Sequence, residues 1–212
     1  MNHTAAAFID DAIAAGAILF GEFRTKAGRL SPYFFNTGEF NSGARLARLG
    51  QHYADALLAS QVAFDGLFGP AYKGIPLAAS IAIALAERGR DVPYSFNRKE
   101  AKDHGEGGSV VGAPLRGRIV IVDDVISAGT SVRESVEILS AAGATVAAVL
   151  IALDRCEQGP TGRSAVEEVH QTLGVPVVAV ATLNDLLQRL AGDPARTNEL
   201  AAIRDYHARY GV

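Results

Sequence analysis

The stretch Gly117–Arg133, GRIVIVDDVISAGTSVR, constrains this chain more than any other. Ile119, Val120, Ile121 and Val122 form an unbroken β-branched run, the pattern of a parallel strand buried on both faces. Such a strand calls for an α/β architecture, a mostly parallel central sheet flanked by helices. Asp123 and Asp124 stand where the strand would leave the sheet. Ser127, Ala128, Gly129, Thr130 and Ser131 follow as a small-residue turn, and a helical pattern begins at Val132. A turn of this kind aims backbone N–H groups inward at the positive end of a helix dipole, which favours an anion such as phosphate. Two acids beside that turn suit a ligand with hydroxyls or a bound divalent cation next to its phosphate, and a phosphorylated sugar has both. A plainer reading of the same residues makes Asp124 or Ser127 a helix cap.

Composition narrows the class. A chain of 212 residues, 49% hydrophobic and 20% charged, buries a substantial core, and nothing in it marks a linker or a repeat, so residues 1–212 are expected to form one domain. The longest apolar runs, such as Ala144–Leu153, are too short to span a membrane. The N-terminal residues lack a basic start and carry Asp10 and Asp11, and Cys156 stands alone in the sequence. Both features fit a cytoplasmic, reducing setting. A net charge of −3 argues against nucleic acid as a partner. The cations cluster locally at Arg98, Lys99 and Lys102, which suits a small anionic ligand.

Periodicity supplies the rest of the frame. Helices are expected over Phe8–Ala17, Ser42–Ala59, Ile75–Arg88, Val132–Ala142, Ser164–Leu173, Leu183–Leu190 and Glu199–Tyr210. Strands are expected around Ile18–Phe23, Tyr33–Asn36, Phe64–Phe68, Val92–Asn97, Thr145–Leu153 and Val175–Ala181. Phe64–Phe68 runs through Gly69-Pro70-Ala71-Tyr72-Lys73-Gly74 into a helix, a second strand–turn–helix unit, so Tyr72 and Lys73 should face the same crevice as Asp123 and Asp124. Phe34 and Phe35 are adjacent, so a strand points only one of them into the core, and the other needs a partner chain or a flat ligand ring. Residues 98–112 have no apolar period before Val110 and carry glycines at 105, 107, 108 and 112. They read as a mobile loop, either a solvated surface segment or a cationic lid. Lys26 on its turn is either solvated or a ligand contact. Arg155, just past a buried strand, either pairs with a surface acid or grips a carboxylate.

Five ordered segments, FRTKAGRLSPYFFNTG, FGPAYKGIPLA, FNRKEAKDHGEGG, IVIVDDVISAGTSVRES and IALDRCEQG, resemble the orotate phosphoribosyltransferases among the type I phosphoribosyltransferases. The resemblance implies the type I fold with a small hood built from about residues 1–40 and the C-terminal region, and a mobile lid over 98–112. It implies transfer of the phosphoribosyl group of phosphoribosyl pyrophosphate (PRPP) to orotate, as a step of pyrimidine biosynthesis. Asp123 and Asp124 would hold the ribose hydroxyls, and Val125, Ile126, Ser127, Ala128, Gly129, Thr130 and Ser131 would cradle the 5′-phosphate. Lys26, Tyr72, Lys73, Arg98, Lys99, Lys102 and His104 would surround the pyrophosphate, with Lys102 or His104 as proton donor. Phe34, Phe35, Ser127 and Arg155 would meet orotate. Ser127 stands where many relatives have threonine, keeping the hydroxyl without the methyl group. Magnesium is implied as cofactor, held mainly by PRPP and water with no protein ligand set, and a homodimer is implied in which one subunit's lid reaches the other's site. A non-catalytic PRPP-sensing regulator on the same fold, or an enzyme for another base, is the alternative.

Overall fold

The described residues build one six-stranded sheet and one two-stranded sheet. The computed structural model describes residues 3–25, 28–102, 108–126, 129–159 and 161–212. Helix α1 (His3–Ala15) leads into an antiparallel pair, β1 (Ile18–Arg24) and β2 (Leu30–Phe35), and α2 (Gly43–Ala59) follows a short 3-10 turn. Next come β3 (Gly66–Gly69), α3 (Gly74–Glu87), β4 (Tyr94–Lys102), β5 (Gly108–Gly112), β6 (Arg118–Val122), α4 (Thr130–Ala141), β7 (Thr145–Asp154), α5 (Ala165–Leu173) and β8 (Val177–Thr182). Helices α6 (Leu183–Ala191) and α7 (Thr197–Tyr210) end the order.

The large sheet runs β5-β4-β3-β6-β7-β8, all parallel except the edge strand β5. Strand β6 alternates as a doubly covered strand should: Val120 and Val122 join a core with α1, α2, α3 and α6, while Ile119 and Ile121 join a second core with α4 and α5. Strand β7 repeats this, with Ala148, Leu150 and Ala152 on the first side and Val149 and Ile151 on the second. The mostly parallel sheet flanked by helices that the apolar runs demanded is therefore present.

Helix α2 starts at the expected cap, where Ser42 Oγ accepts from the Arg45 N–H, and it buries Leu49, Tyr53 and Leu57 at helical spacing. Among the strands that begin later than their apolar runs suggest are β4 at Tyr94 and β8 at Val177. In each case a proline, Pro93 or Pro176, offers only its carbonyl to the neighbouring strand and has no N–H to donate.

The larger difference concerns 98–112. Its described residues are the arms of an antiparallel hairpin, β4 continuing through Lys102 and β5 returning from Gly108, rather than a structureless loop. This hairpin sits at the sheet edge, where both strands lack a continuous apolar face, so periodicity has nothing to report there.

Helices α2 and α3 cross at Gly50, where an added Cβ would lie 2.6 Å from the Ser80 carbonyl oxygen. Gly50→Ala should therefore lower stability by about 1–3 kcal/mol, seen as an earlier urea midpoint at unchanged slope. An unchanged midpoint would mean that the two helices separate without cost.

Candidate active site at the carboxyl ends of the strands

Chain order reverses between β3 and β6: from β3 the chain moves through α3 to β4 on one side, and from β6 through α4 to β7 on the other. Helices diverge from such a switch point, and the crevice they leave lies at the carboxyl ends of the strands. The acids leaving β6 and the lysine after β3 meet there, with Lys73 Nζ 2.5 Å from Asp124 Oδ2 and 3.2 Å from Asn36 Oδ1. Lys73 is half-exposed while the Asp124 side chain is nearly buried, so the cation covers the carboxylate from the solvent side.

Each acid is also tied to backbone. Asp124 Oδ1 accepts from the Val125 N–H at 2.8 Å, and Asp123 Oδ1 accepts from the Asp124 N–H at 2.8 Å. Ser131 Oγ donates to Asp123 Oδ2 at 2.9 Å, linking the first turn of α4 to the end of β6. Asp123 has no cation of its own among these contacts. Burial, together with the negative charge of Asp124, pushes its pKa up to about 6 even though the Asp124 N–H and the Ser131 hydroxyl favour the charged form. Tyr53 of α2 donates its hydroxyl to the Asp123 main-chain carbonyl at 3.0 Å. Burial, followed by the charges of Asp124 and Asp123, raises the Tyr53 pKa well above its ordinary value, so the donor keeps its proton.

The turn after the acids takes a glycine for a conformational reason. Gly129 has φ +66 and precedes the first residue of α4, with no side-chain cap on the helix. Asp124 is therefore not the cap of α4. Its oxygens go to Val125 and Lys73, which removes the plainer reading for that residue. Ser131 is turned toward Asp123, Thr130 opens α4, and Val125 and Ile126 lead out of β6. Ser127 and Ala128 lie outside the described residues, as do Lys26 and His104.

On the β3 side, the Ala71 N–H donates to Asn97 Oδ1 of β4 at 2.8 Å, and Lys99 Nζ stands 5.3 Å from the centre of the exposed Tyr72 ring. Arg98 and Lys99 therefore lie on β4, next to the Tyr72–Lys73 turn, and Lys102 ends that strand. Of the two phenylalanines, Phe35 is buried edge-on to Phe8, while Phe34 remains 44% exposed and stacks on Phe23 at 5.5 Å. The period-two argument thus holds, and it leaves Phe34 as the ring open to a partner. Arg155, past the end of β7, pairs with Glu157 at 2.5 Å, which is the acid-pairing alternative for this residue in the free protein.

Sequence reasoning did not single out Tyr53, Asn36, Asn97 or Glu157. Tyr53 was legible only as a member of a buried helical stripe, although a hydroxyl at the tip of a core side chain demands a partner. Asn36 follows β2 and Asn97 lies within β4, and neither carries a pattern.

A chain with a β6 acid pair, a glycine-opened helix and a lysine at the switch point has the parts of a phosphoribosyl-binding α/β protein. The sequence profile of the phosphoribosyl transferase domain matches residues 37–172. The orotate phosphoribosyltransferase of Thiobacillus denitrificans is 61% identical over 212 residues, covering 100% of both chains, and that of Nitrosospira multiformis is 60% identical over 203 residues, covering 96% of this chain and 89% of the relative. Among solved structures, the orotate phosphoribosyltransferase of Francisella tularensis superposes with a TM-score of 0.88 at 38% identity, over 97% of this chain and 100% of that one. The chain belongs to the phosphoribosyl transferase family, and within it to the orotate phosphoribosyltransferases.

The raised pKa of Asp123 has a measurable consequence. Its contribution to stability is complete while the group is protonated, below the ordinary value of 3.8, and is lost as pH rises through about 6. Asp123→Asn does not titrate. It should gain on the parent protein across that interval, ending about 1–3 kcal/mol ahead near pH 8 in urea unfolding. A difference that stays constant with pH would remove the burial-driven shift.

Proposed function

We propose that this crevice holds PRPP and orotate together while the 5-phosphoribosyl group passes to N1 of orotate, giving orotidine 5′-monophosphate and pyrophosphate. The observation that carries the reading is the meeting of the Asp123–Asp124 pair with Lys73 at the switch point, in a chain that matches orotate phosphoribosyltransferases over its full length. In the reaction N1 of orotate gives up its proton and a C1–N1 bond forms as the C1–O bond to pyrophosphate breaks. Positive charge then grows on the ribose ring, and the leaving oxygen takes the electron pair.

The residues have chemistry for each need. Asp123 and Asp124 accept the ribose 2′- and 3′-hydroxyls and set a negative potential beside the ring. Backbone N–H groups from Val125 to Ser131, at the amino end of α4, receive the 5′-phosphate, with Ser127 facing both phosphate and base. Lys73, freed from Asp124 by ligand hydroxyls, turns to the pyrophosphate along with Lys26, the Tyr72 main chain, Arg98 and Lys99. Lys102, which ends β4, and His104 serve the leaving group, and one of them supplies its proton. Phe34 lies along one face of orotate, with the Phe35 backbone beside it, and Arg155 takes its carboxylate. No serine or cysteine nucleophile is needed, because placement and electrostatics lower this barrier.

The donor set suits magnesium as an oxygen-rich neighbour rather than as a caged ion. Two adjacent carboxylates stand at the end of β6, and among the described residues no three His, Cys, Asp or Glu side chains converge. Magnesium keeps several waters and takes substrate oxygens readily, and when bound it neutralises charge on the departing pyrophosphate. We further propose a cytoplasmic homodimer whose hairpins are exchanged between sites. The large apolar side chain of Ile83 on α3, 62% exposed, is one that a partner subunit would cover.

Incubation with PRPP, Mg²⁺ and orotate should consume orotate, followed by its ultraviolet absorbance. No consumption, with hypoxanthine or uracil reacting instead, would overturn the choice of base, and no consumption of any base would return the non-catalytic reading. Exchange of hairpins has its own check. Lys102→Ala and Asp123→Asn should each lower kcat by about a hundredfold or more, and mixing them under confirmed subunit exchange should restore about a quarter of parental activity, because half the dimers then hold one intact site. No recovery would assign each hairpin to its own subunit's site.

A further inference from the structure

Arg155 is fixed along one edge. Its Nε and Nη2 both donate to Glu157 Oε1, at 2.8 and 2.5 Å, and Nη2 also donates to Ser31 Oγ at 3.0 Å. Ser31 is itself buried and donates its hydroxyl to the Tyr33 carbonyl at 2.7 Å. The guanidinium carbon lies 4.2 Å from the centre of the buried Tyr33 ring. Contacts from two separate segments thus set both the plane and the rotation of the fork, while Nη1 has no hydrogen-bond partner among the described residues. Burial opposes the charge on Arg155 while the Glu157 carboxylate favours it, and the net direction is upward. Burial also raises the Tyr33 pKa, so Tyr33 stays neutral and Glu157 supplies the countercharge.

The backbone that carries this pair is clamped as well. Cys156, between the two residues, has φ +48, a left-handed conformation uncommon for a residue with a side chain. Its N–H donates to Asp154 Oδ1 at 2.9 Å, and its carbonyl accepts from the Val212 N–H at 3.0 Å. The Gln158 N–H donates to the Tyr210 carbonyl at 2.7 Å, and Glu157 and Gly211 form an antiparallel bridge. The segment after α7 therefore runs alongside residues 156–158 and holds Glu157 where it meets Arg155. Such an arrangement exceeds what a surface ion pair needs, since an exposed pair contributes little and tolerates many geometries.

We infer that Glu157, assisted by Ser31, is a positioning residue for base selection: it occupies the Nε edge of Arg155 and presents the Nη1 edge to a carboxylate on the incoming base. The inference rests on the reading of Arg155 as the orotate contact. An arginine that is free to rotate loses side-chain entropy when it grips a ligand, and a fork held in advance loses less. Glu157 and a ligand carboxylate take different edges of the guanidinium, so the two acids share the cation rather than compete for it.

Steady-state kinetics of Glu157→Ala, Glu157→Gln and Arg155→Ala separate the possibilities, with thermal unfolding measured on each. Glu157→Ala should raise KM for orotate about tenfold, with kcat changing less and KM for PRPP within twofold. Glu157→Gln keeps an acceptor at Oε1 and should recover most of that loss. An unchanged or lowered orotate KM in Glu157→Ala, while Arg155→Ala raises it, overturns the positioning role and leaves the reading of Arg155 standing. Equal rises in KM for PRPP and orotate, or no recovery in Glu157→Gln, mark a merely structural role and overturn it too. An orotate KM unchanged in Arg155→Ala sinks the orotate-contact reading itself, and this inference with it.

Discussion

A strand buried on both faces that ends in two adjacent carboxylates sets a problem of desolvation, and much of the site is its solution. Leaving a buried charge unpaired costs several kcal/mol, and a hydrogen bond to a charged group returns about 1.5–3 kcal/mol. Asp124 is supplied with a backbone N–H and the Lys73 ammonium. Among the described residues Asp123 receives neutral dipoles, from the Asp124 N–H and the Ser131 hydroxyl, and burial leaves it a tendency to hold a proton. The two acids, identical in sequence, thus differ in readiness. One already has its cation, and the other gains most from ligand hydroxyls or a metal ion nearby.

Positions around this pair are set by rigid elements. Tyr53 reaches from α2 to the Asp123 carbonyl, Asn97 holds the turn after β3 from its place on β4, and Ser131 ties α4 to the end of β6. Each links a helix or strand to a loop at the carboxyl end of the sheet, where loops alone would leave the ligand-facing groups free to drift. Arg155 belongs to a second such set. Glu157, Ser31 and Tyr33 hold it against the β1–β2 sheet, whose exposed ring, Phe34, remains open to a flat partner. The acid pair and the Arg155 cluster are thus built from different parts of the chain.

Legibility followed burial. The runs Ile119–Val122 and Thr145–Leu153 were plain as strands because both faces are covered, and Ser42 was plain as a cap because its hydroxyl precedes a clear helical stripe. Starts of strands were misplaced where Pro93 and Pro176 intervene. The hairpin of β4 and β5 was missed because an edge ribbon held by ladder hydrogen bonds needs no apolar pattern. Within the site, the Asp123–Asp124 pair and its glycine turn stood out at once. Asn36, Asn97 and Glu157 did not, since a single polar residue acquires its role only from what the fold places opposite it.

Local chemistry therefore decided the elements: β-branched runs make covered strands, and an acid pair followed by a small-residue turn marks the end of such a strand as a candidate site. Only tertiary structure decided which side chains act together. Lys73 and Asp124 are 51 positions apart, and Ser31 and Arg155 are 124 apart. Their contacts depend on the reversal of strand order between β3 and β6 and on the packing of the small sheet, and no local pattern records a distance across the sheet. The same holds for protonation, because the shift at Asp123 comes from burial and from the charge beside it, quantities that exist only once the crevice has formed.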